Sequence, residues 1–179
     1  MSTKLIKQLL FAAATCFVAA SFAQGDVENV QIVVFDAQLV DTSTEGEMFG
    51  TNAAETKRLA MISDQLRAGL HMSERYEVLD MEPAQSALAT LSDSVRFFHD
   101  CNNCELDIAK SLGAQQSAVV WVQKVSNLIL NLNVVIKDVA TGKIVKTSFV
   151  DIRGNTDRSW QHGTKYMLKN RLLAGADLR

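Results

Sequence analysis

Residues 118–122, Ala118-Val119-Val120-Trp121-Val122, form an unbroken apolar run with no period-two alternation. A strand reads this way when both of its faces are covered, so the segment is expected at the centre of a sheet packed on two sides. Just ahead of it, Leu106, Ile108, Ala109 and Leu112 put an apolar stripe on a short helix, and Gly113 stands where a left-handed cap would end it. A helix followed at once by a doubly covered strand is half of an α/β unit, and this constrains the fold class more than any other stretch.

The other segments extend that unit. Val30 to Phe35 is apolar and β-branched, a first strand that continues loosely to Val40. Asp41-Thr42-Ser43-Thr44-Glu45-Gly46 is polar and turn-rich, and predicts a surface loop running to Asn52. From Ala54 to Met72, Leu59, Ile62, Leu66 and Leu70 recur at helical spacing, with Lys57, Asp64, Arg67 and His71 expected on a solvated face. Tyr76 to Asp80 alternates as a second strand, which implies a right-handed parallel crossover from the first. Pro83 suits the first turn of a helix through Leu91, whereas residues 92–100 fit no single pattern.

After the central strand, Leu128, Leu130, Leu132, Val134 and Ile136 alternate with a mixed set, so one face of this strand is expected to be apolar throughout. Val125-Ser126-Asn127 is too short for a crossover and makes these two strands antiparallel neighbours. Asp138 to Lys143 reads as a hairpin with Gly142 at positive φ, and the return strand is Ile144 to Ile152. A last helix runs to about Leu173, capped by Asn155 or Thr156 with Asp157 in its first turn. The expected fold is therefore α/β (α+β), a single domain with a mixed sheet of about five strands in the order β-α-β-α-α-β-β-β-α.

Residues 1–23 read as a cleaved secretory signal peptide: Lys4 and Lys7, an apolar Leu9 to Ala20, and the small-x-small site Ser21-Phe22-Ala23. The apolar run is too short to span a bilayer. Residues 24–179 are then one domain exported to the periplasm, with no membrane span after cleavage. The whole chain has 18 basic and 20 acidic side chains, and loss of Lys4 and Lys7 leaves it more acidic, which excludes the electrostatic footprint of a nucleic-acid binder. Cys16 leaves with the leader, so Cys101 and Cys104 are an even pair in an oxidising compartment and are expected to form a disulfide. So short a loop contributes only about 2 kcal/mol in the chain-entropy picture, and its effect is local.

Chemistry has few footholds. Cys101-x-x-Cys104 at a helix start suggests a thiol-disulfide oxidoreductase, but no buried strand precedes it and no later proline supplies a cis-proline beside it. Haem attachment is excluded by Glu105 where His would follow, and His71, His99 and His162 lie at no zinc-finger spacing, so no metal site and no cofactor is expected. The hydrolase, phosphate-loop and dinucleotide motifs are missing, and no carboxylate pair stands out from a solvated background. Polar residues do crowd near the strand ends: Gln123, Lys124 and Asn127 on one side, and Arg153, Asn155, Asp157 and Trp160 on the other. Either they form a recognition surface, or Arg153 pairs with Asp157, Asn155 caps the last helix and Trp160 is core.

WVQKVSNLILNLNV, CNNCE and DIRGNTDRSW together resemble an uncharacterised family of small secreted Gram-negative proteins known as a domain of unknown function. More distantly, the strand-helix order and the Asp-x-x-Thr-Gly-Lys hairpin resemble the N-terminal α/β domain of TolB and related envelope proteins such as CsgG and LpoB. That resemblance implies action through protein contacts. The sequence thus points to a periplasmic, non-enzymatic binding or accessory domain that engages a protein partner of the cell envelope or a periplasmic enzyme system. Its alternatives are a small-molecule-binding accessory protein, using a pocket at the ends of the central strands, and the oxidoreductase.

Overall fold

A computed structural model describes residues 29–174; the leader expected at residues 1–23 lies outside the described residues. The strands are β1 (Val30–Val34), β2 (Gln38–Asp41), β3 (Tyr76–Val78), β4 (Gln116–Ser126), β5 (Ile129–Asp138) and β6 (Ile144–Arg153). The α-helices are α1 (Thr44–Phe49), α2 (Ala53–His71), α3 (Gln85–Ser94), α4 (Cys104–Ser111) and α5 (Asp157–Met167), which continues as a π-helical turn over Leu168–Leu172. The sheet runs β3-β1-β4-β5-β6, with β1 parallel to both β3 and β4, and β5 antiparallel to both β4 and β6.

The expected class holds, with one strand and one helix more than the sequence suggested. The loose continuation beyond Phe35 is a separate strand: β1 pairs with β4 from Gln116 to Ala118, and β2 pairs with it from Trp121 to Lys124. The predicted surface loop is largely α1, capped by Ser43, whose hydroxyl accepts from the Gly46 N–H. Gly46 looked like a turn glycine but answers a packing demand, since a Cβ there would overlap the Asp41 carboxylate. Leu128 is another departure: it lies in the β4–β5 turn and is exposed, so the buried stripe of β5 begins at Leu130.

β4 is covered on both sides over its centre. Val120 and Val122 join Leu130, Leu132, Val134 and Ile136 under α2 and α5, while Val119 packs with Val33, Phe35, Ile108 and Ala109 on the α3–α4 side. Of residues 92–100, the first three end α3 and the remainder turn to seal this second core. Phe98 is buried edge-on to Phe35, and His99 stacks on Trp121 with ring centroids 4.5 Å apart. Arg67, expected in solvent, instead donates to the Val34 carbonyl at 2.9 Å and pairs with Asp36, filling the break between β1 and β2.

The Cys101–Cys104 disulfide is formed, with Cα atoms 5.6 Å apart. It fixes the start of α4, where buried Glu105 accepts from Lys137 Nζ of β5 at 2.6 Å. At the opposite side of the sheet, Gly163 lets α5 approach β6 so closely that a Cβ would lie 2.7 Å from Ile152 Cγ1. Gly163→Ala adds up to about 1 kcal/mol of helix propensity but overpacks at a cost of about 1–3 kcal/mol. The expected outcome in urea unfolding is a net loss of stability, with no change in far-ultraviolet circular dichroism of the folded state.

Candidate functional site

Along β4, Val120, Val122 and Lys124 share the face turned toward α2, so the period that buries two valines also buries a lysine. Lys124 is 1% exposed, and a lone charge there would cost several kcal/mol in lost hydration. Two buried carboxylates meet it, and the half-exposed Glu45 of α1 lies 3.5 Å from Nζ. The parallel register of β2 sets Asp41 beside Lys124, with Oδ2 3.0 Å from Nζ. Glu55 comes from the first turn of α2 and accepts from Nζ at 2.7 Å while being 0% exposed itself. Asn52 holds it there: its side chain accepts from the Glu55 N–H, and the other Glu55 oxygen accepts from the Asn52 N–H.

Around this core runs a shell of amides. Asn155 Nδ2 donates to Glu55 Oε1 at 2.7 Å and to Asn127 Oδ1 at 3.0 Å, and its Oδ1 accepts from Trp160 Nε1 and Arg58 Nη1. Arg58 reaches on to Asp157, Nε to Oδ1 2.7 Å, and Asn127 donates to Glu45 of α1. One network therefore ties β2, α1, α2, β4, the β4–β5 turn and α5 together.

Of the residues singled out from sequence, this network gathers Lys124, Asn127, Asn155, Asp157 and Trp160. It buries Lys124 and Trp160 and half-buries Asn155, but leaves Asn127 and Asp157 exposed at its rim. Trp160 is core, as one of the two sequence readings had it. The rest of that reading is corrected: Asp157 pairs with Arg58 rather than Arg153, and Thr156, not Asn155, caps α5. Gln123 and Arg153 point to the opposite face of the sheet and are exposed. The view that no carboxylates stand apart fails at Asp41 and Glu55. Lys124 itself carried the signal, since a lysine at the inward period of a covered strand demands a buried counter-ion.

The opposite face of β4, β5 and β6 is open where α3 and α4 stop. Gln123 and Val125 of β4 lie beside Ile129, Asn131 and Asn133 of β5, then Phe149, Asp151 and Arg153 of β6. Phe149 is 62% exposed at its middle, and Val125 and Ile129 are about half exposed. A cleft of about 220 Å³ lies just past the ends of β1 and β3, lined by Asp36, Arg67, Leu79 and Asp80. A groove of about 380 Å³ runs along the β6 edge, walled by Ser159, His162, Tyr166 and Arg171. Among the described residues, Cys101, Cys104 and Glu105 bring potential metal-ligand atoms within 4.8 Å, but both sulfurs are spent in the disulfide.

The buried trio carries no spare chemistry. Burial opposes the charge on Glu55, but hydrogen bonds from Lys124, the Asn52 N–H and Asn155 outweigh it and hold the carboxyl below its usual range. At Asp41, burial is likewise outweighed by Ser43 and Lys124, and the pKa is lowered. Burial pushes Lys124 down, yet its bonds to Glu55 and Asp41 prevail and raise it. An ammonium so held is no nucleophile or base.

Two outcomes are expected. Lys124→Met strands two buried carboxylates and costs about 3–5 kcal/mol in chemical unfolding, and adding Glu55→Gln recovers part of that loss. The pH profile of stability follows from the shifts. Unfolded carboxyls titrate near about 4, so below that the unfolded chain binds more protons, and the Asp41 and Glu55 contribution fades as pH falls through their lowered folded values. The Lys124 contribution is complete below about pH 10.4 and fades only as pH rises through its raised folded value. Unfolding free energies measured across pH show both losses, and the Glu55→Gln/Lys124→Met chain shows a weaker acid loss.

Similarity to known proteins agrees with this architecture. The LpoB C-terminal domain from Salmonella enterica superposes with a TM-score of 0.51 at 18% identity, over 73% of this chain and 87% of that one. The LpoB C-terminal domain from Escherichia coli gives 0.47 at 16% identity, over 73% and 87%. Lipoprotein GNA1162 from Neisseria meningitidis gives 0.45 at 13% identity, over 72% and 83%. The first likeness is one of fold alone. No curated protein matches the chain. The match to a family model over residues 30–172 does establish descent: the chain belongs to the family DUF3280, described as "Protein of unknown function (DUF2380)".

Proposed function

We propose that this protein is a non-enzymatic binding module of the cell envelope, exported to the periplasm, that engages a protein partner through the open face of β4, β5 and β6. The observation that carries the reading is that face itself. Phe149 is exposed beside Asn133, and Val125 and Ile129 are exposed further along the same face near the β4–β5 turn, with the amides Gln123 and Asn131 between them, on strands backed from behind by the core. Exposed aromatic and aliphatic side chains rimmed by amides suit protein contact, where aromatic anchors carry much of the binding energy.

The charged groups support it from the other side. Lys124, Glu55 and Asp41 are committed to one another, and the disulfide sulfurs to each other, which leaves the chemically reactive types in structural roles. The disulfide and the leader expected at residues 1–23 suit an oxidising export compartment. Among the described residues, no helix is long and apolar enough to cross a membrane. The fold shared with the LpoB C-terminal domain supports the reading, because the sequence resemblance to that group implies action through protein contacts.

The groove beside β6 favours a small-molecule ligand as a second reading, since its volume lies within the range of ligand clefts. The two separate by experiment. Tagged protein cross-linked in intact periplasm is expected to capture one stoichiometric partner. Ile129→Asp/Phe149→Asp, folded by circular dichroism, is expected to lose that partner by at least about tenfold, as removal of two anchors predicts. Undiminished capture by the double variant removes the reading, and a ligand that co-purifies without any partner replaces it with the second.

A further inference from the structure

We propose that the groove between β6 and α5 takes an extended acidic peptide segment, which adds to β6 as a further strand; this rests on the partner-binding reading and names what the partner presents. The first support is the backbone of β6. The strand pairs only with β5 among the described residues, so its other edge carries unspent N–H and C=O groups. Which groups these are follows from the ladder. Gly154 donates to the Leu128 carbonyl, and with a period of two Ile152, Val150 and Ser148 share that inward direction. Thr147, Phe149, Asp151 and Arg153 therefore turn their N–H and C=O groups out of the edge, at the spacing an added strand requires.

The second support is the groove that runs beside those groups. Its far wall is α5 and the turn after it, with His162, Tyr166 and Arg171, and Gly163 keeps the helix close to the strand without filling the space between them. An added strand would send alternate side chains toward Tyr166, which is 44% exposed, and toward Phe149 on the open face. A strand edge flanked by a helix thus offers backbone pairing for affinity and two unlike walls for selection.

Charge picks the occupant. Arg153 and Arg171 line the groove with His162, against Asp151 alone, and that carboxylate already accepts from Asn131 at 2.9 Å. Arg158 borders the same wall beside Ser159 and His162. Arg153 lies 4.0 Å from Asp151 with both side chains mostly exposed, so Arg153, Arg171 and Arg158 still leave the wall net positive; a segment rich in Asp or Glu meets attraction there, and a basic one meets repulsion. A second copy of this chain is disfavoured by the same charges. Two β6 edges paired about a two-fold axis would bring together two α5 helices whose outer residues include Arg158, Lys165, Lys169 and Arg171 against the single acid Asp157.

The test uses the intact exported chain, isotope-labelled, titrated with a capped octapeptide of alternating Asp and Val and with its Lys-Val counterpart. The acidic peptide is expected to shift the amide resonances of Thr147, Phe149, Asp151 and Arg153 and to slow their hydrogen exchange. Binding is expected to weaken with added salt and to fall about tenfold in Arg153→Glu/Arg171→Glu, as reversing two partly screened charges predicts. The same peptide N-methylated at alternate residues is expected not to bind, which probes backbone pairing without altering the protein.

Equal binding of the lysine peptide, acidic binding that leaves the β6 amides unprotected, no response at millimolar peptide, or self-association that protects β6 each overturns the inference. None of these touches the capture of a partner in periplasm. Loss of that capture's dependence on Ile129 and Phe149 is what removes the broader reading, so the two fail separately.

Discussion

A lysine ammonium on the covered face of the central strand is the constraint to which half of this molecule conforms. The idealised cost of moving such an ion into a low-dielectric interior is on the order of 20 kcal/mol, reduced to several by relaxation, and no single neighbour offsets it. Two carboxylates and a shell of amides do. Their positions dictate the local architecture: β2 must run parallel to the end of β4 so that Asp41 sits at Lys124, and α2 must begin where Glu55 reaches inward. Asn155 must lie between Glu55, Trp160 and Arg58, which sets where α5 starts. Replacing the trio with well-packed apolar residues would by general experience be neutral or stabilising. The contribution of the trio is thus more to a single arrangement of β2, α1 and α5 than to net stability, as one buried polar group fixes register in a coiled coil.

Much of the fold was legible because hydrophobic periodicity is local. The doubly covered run at Val119 to Val122, the helix before it, the long hairpin with Gly142 at φ 68°, and the parallel crossover over α2 all stand as read. The failures share a cause, which is information carried by distant partners. β2 has four half-buried residues after a break at Asp36, and only its pairing to β4 makes it a strand. α1 has no buried residue at all, so no apolar stripe announced it; its signals were the Ser43 cap and a glycine that exists to admit Asp41.

The site residues divide on the same line. Crowding of Lys124, Asn127, Asn155, Asp157 and Trp160 in sequence was a correct sign that they meet in space, but only Asn127 and Asp157 of them lie exposed, while Lys124 and Trp160 are buried. Their other partners, Asp41, Glu45, Glu55 and Arg58, come from a part of the chain that looked like loop and solvated helix. Polar crowding near strand ends does not distinguish a recognition surface from a buried knot. The inward period of β4 does, because Lys124 follows Val120 and Val122 whereas Gln123 follows Val119 and Trp121.

The knot and the open face are two consequences of one asymmetry. Helices α3 and α4 cover β1 and the first half of β4, and α2 with α5 covers the other side over the full width, so β5 and β6 are backed on one face only. Among the described residues β6 also has one unpaired edge, which is an aggregation hazard in any sheet protein. Charges at Asp151 and Arg153 and the register shift at Ile136/Lys137 blunt it, and a basic helix alongside discourages a second copy. Phe149 works against those devices, standing exposed in the middle of the same strand. An edge defended at both ends but left apolar at its centre is guarded against indiscriminate pairing while staying open to a partner whose charge answers its own.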